Sequence, residues 1–182
     1  MVNTFNATIL FVDDEPAILD VLARTFKNEV STVLTCDNPL QALDVLKSNV
    51  VDLVVLDLRM PGKDGLTLYK EMKEIRPDLS VIFLTAHGDK DSVQEALRLG
   101  ADNFVDKPYE KNYLKLIVRK ALETSRYQSL IKEILEIFLY HYTDVDPSSF
   151  KNLLYEEKET LIKAALGVAK LKIGRKKNAS DT

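Results

Sequence analysis

Short apolar runs alternate with amphipathic segments from residue 8 to about residue 125, and this alternation restricts the fold more than any other feature. The runs are TILFV at 8–12, STVLT at 31–35, DLVVL at 52–56, SVIFLT at 80–85 and NFVD at 103–106. They are rich in β-branched residues and nearly continuous, as expected of strands covered on both faces. Strands and helices in alternation predict a doubly wound α/β fold, with a parallel sheet between two layers of helices.

The segments between these runs carry helix signals. Asn38 followed by Pro39 is typical of an N-cap and a first helical position, and Gly100 is typical of a helix C-terminus. In residues 64–75 the apolar side chains recur at helical spacing and predict one buried helix face. That face would consist of Leu66, Tyr69, Met72 and Ile75.

The pattern changes after Tyr109, where no further strand candidate is found. Residues 110–125 predict the helix that closes the α/β domain, and 126–142 continue without glycine or proline. The stretch TDVDPSS at 143–149 predicts a break before a third helical stretch at 150–173, and the basic tail from Gly174 is predicted to be disordered. We therefore expect an α/β domain in residues 1–125 and an all-α C-terminal extension in residues 126–182.

Composition narrows the class of protein. The sequence has no run of about 18 apolar residues, so a membrane-spanning helix is not expected. The first residues lack the basic and long apolar segments of a secretory signal. Cys36 is the only cysteine and cannot form an internal disulfide, which favours a cytoplasmic location. Residues 1–108 contain 11 basic and 18 acidic side chains, whereas 109–182 contain 14 and 10, so nucleic acid binding stays open only for the second part.

Polar side chains gather where the predicted strands end. Asp13 and Asp14 follow the first strand, Asp57 follows the third, Thr85 closes the fourth and Lys107 follows the fifth. In an open parallel sheet these ends lie along one edge, which is where ligands bind. Three carboxylates, a hydroxyl and an ammonium are therefore predicted to meet at one site.

Three carboxylates in one site repel each other, at about 4 kcal/mol for each close pair when the effective dielectric constant is about 20. A cation would relieve this repulsion, and oxygen ligands with room for water favour Mg²⁺. With Mg²⁺ bound, one carboxylate could attack phosphorus, as in aspartyl-phosphate chemistry. Lys107 would then balance the transferred oxygens, and Thr85 would donate a hydrogen bond.

Four motifs occur in order: FVDDEP at 11–16, VVLDLRMPGKDG at 54–65, VIFLTAHGD at 81–89 and FVDKPYE at 104–110. Together they resemble the receiver domain of bacterial two-component response regulators, over about residues 7–125. The resemblance implies a flavodoxin-like, five-stranded sheet in the order 2-1-3-4-5. It also implies that a sensor histidine kinase transfers a phosphoryl group to Asp57, and that the protein catalyses only its own phosphorylation and dephosphorylation.

The resemblance further implies individual residue roles. Thr85 and Lys107 would contact the phosphoryl group. Mg²⁺ would be held by the carboxylates of Asp13, Asp14 and Asp57 and by the backbone carbonyl of Arg59.

The resemblance also points to a switch, formed by Thr85 and the aromatic position Phe104, and to a cis peptide bond before Pro108. A structural interpretation of Phe104 is a core residue of the last strand. His87 is either an exposed loop residue or a group that tunes dephosphorylation. His141 lies between two tyrosines and is expected to be packed, which argues against metal binding and against a phosphotransfer histidine.

The extension leaves three interpretations open. The favoured one is a phosphorylation-controlled interaction protein, which pairs with a partner or forms a homodimer through the receiver or residues 126–172. The second is a transcription regulator with an unusual compact DNA-binding output. The third is an enzyme built on the extension, which no cluster of histidines or acids in residues 109–182 supports.

Overall fold

The structure, a computed structural model, describes residues 4–86, 90–142, 153 and 155–180, and for residues 90, 155 and 171–180 it describes the backbone alone. Its five strands form one sheet in which every pairing is parallel. The strands are β1 (Phe5–Val12), β2 (Val30–Cys36), β3 (Leu53–Asp57), β4 (Ser80–Ala86) and β5 (Asn103–Lys107). They lie in the order β2-β1-β3-β4-β5, which confirms the predicted topology.

Helices cover both faces of this sheet. The helices are α1 (Pro16–Phe26), α2 (Pro39–Ser48), α3 (Gly65–Ile75), α4 (Lys90–Arg98), α5 (Lys111–Tyr142) and α6 (Tyr155–Ser180). Buried side chains of α1 and α5 pack with strand residues such as Phe11 and Val55 on one face. Side chains of α2, α3 and α4 pack with strand residues such as Val54 and Phe83 on the other.

Local signals fix several helix ends. The Asn38 side chain accepts a hydrogen bond from the Leu40 N–H at 2.9 Å and caps α2. After α4, Gly100 has a φ of 87° and its N–H donates to the Leu97 carbonyl, while the Ala101 N–H donates to the Ala96 carbonyl. This bonding pattern is a Schellman motif, and both predicted caps are confirmed.

The buried face of α3 differs in part from the prediction. Tyr69 and Met72 are buried as expected, but Leu68 completes the face. Leu66 is only half-buried, and Ile75 is 37% exposed. The reason is that the buried side chains follow the spacing i, i+3, i+4 and i+7 from Gly65, which places Leu66 and Ile75 at the margins of the face.

The chain divides into two compact units, residues 1–125 and residues 126–182. α5 is one continuous helix to Tyr142, and the predicted break at 143–149 lies outside the described residues. α6 extends to Ser180 and so includes residues 174–180 of the basic tail, whose predicted disorder stays a prediction. A single glycine costs a helix only about 1 kcal/mol relative to alanine, and the arginine and lysines after Gly174 are good helix formers.

The second unit keeps a large apolar surface in contact with solvent. Leu139, Ala165 and Ala169 are buried, but the exposed large apolar side chains of α5 in this unit are Tyr127, Leu130, Ile131, Ile134, Ile137 and Tyr140. His141 is also exposed, so the expectation that its aromatic neighbours bury it is wrong. It lies two positions after Leu139, on nearly the opposite side of the helix. None of the described helices is long and apolar enough to span a bilayer.

Candidate functional site

Two buried carboxylates stand at neighbouring strand ends. Asp57 is the last residue of β3 and is 5% exposed, and Asp13 follows β1 and is 1% exposed. Backbone bonding continues past both ends, since the Asp13 N–H donates to the Cys36 carbonyl and the Leu58 N–H donates to the Leu84 carbonyl. Hydrogen bonds between strands therefore fix the backbone at Asp13 and directly after Asp57.

Lys107 joins the two carboxylates. Its Nζ lies 2.7 Å from Asp13 Oδ2 and 2.9 Å from Asp57 Oδ2. The other oxygens are bound locally: Asp13 Oδ1 accepts from the Glu15 N–H at 3.0 Å, and Asp57 Oδ1 accepts from the Arg59 N–H at 3.2 Å. Each carboxylate is therefore fixed by one backbone donor and by the ammonium that they share.

The charges of this cluster also act on Lys107 itself. Burial of the ammonium acts to lower its pKa, but hydrogen bonds and Coulomb attraction from Asp13 and Asp57 outweigh burial and raise the pKa of Lys107 above its ordinary value. The lysine is therefore a permanent cation at neutral pH. The peptide bond that follows it, to Pro108, is cis, as the resemblance implied.

A third acid completes a group suited to a divalent cation. Carboxylate oxygens of Asp13, Asp14 and Asp57 lie within 4.8 Å of one another. Asp14 is half-buried, whereas Asp13 and Asp57 are buried. An all-oxygen set with one partly exposed member fits a hard ion that keeps some of its water, which is the coordination that Mg²⁺ prefers.

The remaining predicted residues lie on β4 and β5. Thr85 is 1% exposed, and its hydroxyl donates to the Ala86 carbonyl at 3.1 Å. Thr85 is one residue beyond Leu84, the β4 partner of Asp57. Phe104 is half-buried and stacks on Phe83, with ring centroids 5.6 Å apart and planes 12° apart. His87 lies outside the described residues.

Comparison with known proteins agrees with this geometry. Residues 9–119 match the model of the response regulator receiver domain, and all the predicted site residues lie within that range. The chain belongs to this family. The matched range ends within α5. Membership of the family therefore applies to the receiver and does not define the role of the extension.

Individual relatives show how the receiver is used in other chains. The transcriptional regulatory protein GlrR of Escherichia coli K12 is 38% identical over 119 residues, which are 65% of this chain and 27% of GlrR. Sporulation initiation phosphotransferase F of Bacillus subtilis 168 is 38% identical over 117 residues, 64% of this chain and 94% of that protein. A receiver domain protein from Clostridium thermocellum has a TM-score of 0.64 and 31% identity, covering 67% of this chain and 98% of that one. The chain thus spans only about a quarter of GlrR.

Gly65 brings the start of α3 against the strand that carries the receiver's Asp57. Its N–H donates to the Leu58 carbonyl at 2.9 Å. A Cβ built at this position would overlap the Asp57 carbonyl oxygen and lie 2.9 Å from the Leu58 Cα. Both of these atoms belong to backbone, which cannot move aside as a flexible side chain could.

We expect Gly65→Ala to lower the free energy of unfolding by about 2 kcal/mol, because the added methyl group overpacks the site. Urea unfolding measures this loss. Gly167→Ala is the control, since a Cβ there would have no atom within 4 Å and alanine suits a helix better than glycine. Equal stability of Gly65→Ala and the unmodified protein would show that the backbone gives way at this point.

Sequence reasoning placed the five polar side chains at one edge but missed two features. It did not predict that Lys107 bridges Asp13 and Asp57. It also did not identify Gly65, which allows the start of α3 to approach the Asp57 backbone closely. A glycine at the start of a predicted helix, shortly after a predicted strand end, is a sequence signal for such close packing.

Proposed function

We propose that the chain is a response regulator whose receiver accepts a phosphoryl group on Asp57 from a sensor histidine kinase. The observation that supports this most is the cluster of Asp13, Asp14 and Asp57, with carboxylate oxygens within 4.8 Å of one another and Lys107 bound to two of them. Such a cluster has enough negative charge to need a cation and has a nucleophile at its centre.

The proposed reaction is a transfer between two nucleophiles. A carboxylate oxygen of Asp57 forms a bond to phosphorus while the bond from phosphorus to the kinase histidine breaks, and the freed imidazole takes up a proton from water. Lys107 then faces the transferred oxygens, and the Thr85 hydroxyl turns from the Ala86 carbonyl to donate to one of them. Hydrolysis of the acyl phosphate restores Asp57, and we propose no further reaction for this chain.

Asp13, Asp14, Asp57 and the Arg59 carbonyl are the proposed ligands of Mg²⁺. When bound, Mg²⁺ supplies positive charge that offsets the phosphoryl oxygens in the transition state. The chain's own part is to hold the Asp57 carboxylate in place, which the Arg59 N–H does at 3.2 Å. Phe104 and Thr85 are proposed to be the residues whose positions differ between the two phosphorylation states.

Beryllofluoride, which mimics a bound phosphoryl group, tests the site directly. We expect a bound ¹⁹F resonance only when Mg²⁺ is also present, because the carboxylates repel an uncompensated anion. Addition of EDTA should remove the resonance, and Ca²⁺ at the same concentration is the comparison for ion size. Binding that is equally strong in EDTA would contradict the proposed ligand set.

The helical extension, residues 126–182, is proposed to be an interaction module rather than a catalytic one. Its exposed apolar stripe on α5 is the supporting observation, since a surface of this kind marks a protein contact. We propose a homodimer whose assembly depends on phosphorylation. Light scattering with and without beryllofluoride should show a change in mass, and Ile131→Lys with Ile134→Lys should abolish that change while leaving ¹⁹F binding intact.

The two alternative functions of the extension can be tested separately. If the extension binds DNA, its affinity for DNA should fall steeply as the salt concentration rises, and absence of binding at low salt would rule out this function. Catalysis by the extension has no cluster of histidines or acids to support it in the described part of α5 and α6. The cytoplasmic location stays a prediction.

A further inference from the structure

Helix α4 makes few apolar contacts with the rest of the receiver. Of residues 91–98, whose side chains are described, only Ala96 is fully buried, and Leu97 is 51% exposed. A helix with so small a buried face gains little from the hydrophobic effect, so polar contacts decide how firmly it is held. Two such contacts come from the neighbouring helix α3.

The first contact is buried and the second is not. The Tyr69 hydroxyl donates to the Leu99 carbonyl at 2.9 Å, next to Gly100 in the cap that ends α4. Tyr69 is 0% exposed. Lys70 forms an ion pair with Glu95 at 2.7 Å, but both side chains are about half exposed, and exposed pairs contribute little. Tyr69 is therefore the stronger tether of the C-terminal end of α4.

The ring of Tyr69 also contacts the aromatic pair at the sheet. Tyr69 meets Phe83 edge to face, with centroids 5.4 Å apart and planes 75° apart. Phe83 in turn stacks on Phe104, its partner in the β4–β5 pairing. Three rings thus form an unbroken line from the proposed switch position to the α4 cap, and a close-packed interior transmits displacement along such a line.

Tyr69 keeps its proton under ordinary conditions. Burial, with a smaller contribution from the charge of Asp102, raises the pKa of Tyr69 to about 12. The hydroxyl is therefore a donor at neutral pH, so the bond to Leu99 does not depend on pH in the physiological range.

We propose that Tyr69 is a positioning residue that couples Phe104 to the C-terminal end of α4, so that a change in the packing of Phe104 changes how tightly the Leu99–Gly100 cap is held. The inference rests on the proposed function, since it is occupation of Asp57 that would alter Phe104. The coupling depends on the hydroxyl, because its bond to the Leu99 carbonyl is the hydrogen bond described between Tyr69 and the α4 cap.

The test uses the full chain labelled with ¹⁵N, in Mg²⁺, with and without beryllofluoride. The amides of Leu58 and Arg59 report on the site, and those of Gly100 and Ala101 report on the α4 cap. In the unmodified protein both groups should shift. In Tyr69→Phe the site amides should shift as before, the cap amides should lose most of their shift, and their hydrogen exchange should become about fivefold faster, as expected for one lost hydrogen bond of about 1 kcal/mol.

Lys70→Met is the matched control, since it removes the exposed tether between α3 and α4 and should leave the cap response in place. Undiminished cap shifts in Tyr69→Phe would overturn the proposal, as would a cap that does not respond in the unmodified protein. Loss of the site shifts in Tyr69→Phe would also overturn it, because Tyr69 would then support the site itself. If Leu58 and Arg59 fail to respond in the unmodified protein, the proposed function fails first and the coupling fails with it.

Discussion

Asp57→Asn should abolish Mg²⁺-dependent labelling of the chain by a small phosphoryl donor such as acetyl phosphate. The amide has no anionic oxygen to attack phosphorus, so the acyl phosphate cannot form. The fold should survive, because the asparagine Oδ1 can still accept from the Arg59 N–H and Lys107 keeps its bond to Asp13. We therefore expect a protein that unfolds cooperatively in urea and takes up no label.

Asp44→Asn is the matched control, since Asp44 is an exposed acid on α2 and should label like the unmodified chain. Hydroxylamine should release the label from the unmodified protein, because it cleaves acyl phosphates. Normal labelling of Asp57→Asn would contradict the assignment. A label in that variant that survives alkali but is lost in acid would instead indicate a phosphohistidine at His141, which is exposed on α5.

The fold was predictable where the signals were local or periodic. Asn38 and Gly100 cap their helices as expected, since capping depends on one side chain or one backbone conformation. The sheet order followed from the family resemblance rather than from strand patterns. The state of the tail beyond Gly174 is harder to predict, because polar composition alone does not separate an exposed helix from a disordered segment.

The site was predictable as a set of positions but not as a set of contacts. The rule that strand ends meet at one edge placed Asp13, Asp57 and Lys107 together. It could not say that the lysine would bridge both acids, because that depends on side-chain length and on competition between charges in three dimensions. The exposure of His141 was missed for a related reason, since neighbours in sequence are not neighbours across a helix.

Lys107→Met should make the receiver markedly less stable in EDTA. Asp13 and Asp57 have side chains 1% and 7% exposed, and Lys107 supplies the shared counter-charge at 2.7 and 2.9 Å. Methionine keeps much of the length of the side chain but leaves two adjacent carboxylates without a cation. Breaking a buried ion pair costs about 3–5 kcal/mol, and because Lys107 is 20% exposed we expect a loss near the lower end, about 3 kcal/mol.

Addition of Mg²⁺ should recover part of this loss, because a cation bound only to the folded chain stabilises it and the variant has more uncompensated charge to offer. Urea unfolding in EDTA and in Mg²⁺ measures both effects. Lys115→Met is the control: Lys115 pairs with Glu29 at 2.7 Å, but these side chains are 35% and 26% exposed, so its loss should cost no more than about 1 kcal/mol and should not depend on Mg²⁺. Equal losses of stability in the two lysine variants, with equal responses to Mg²⁺, would contradict this account. Lys107 would then not act by relieving the repulsion between Asp13 and Asp57.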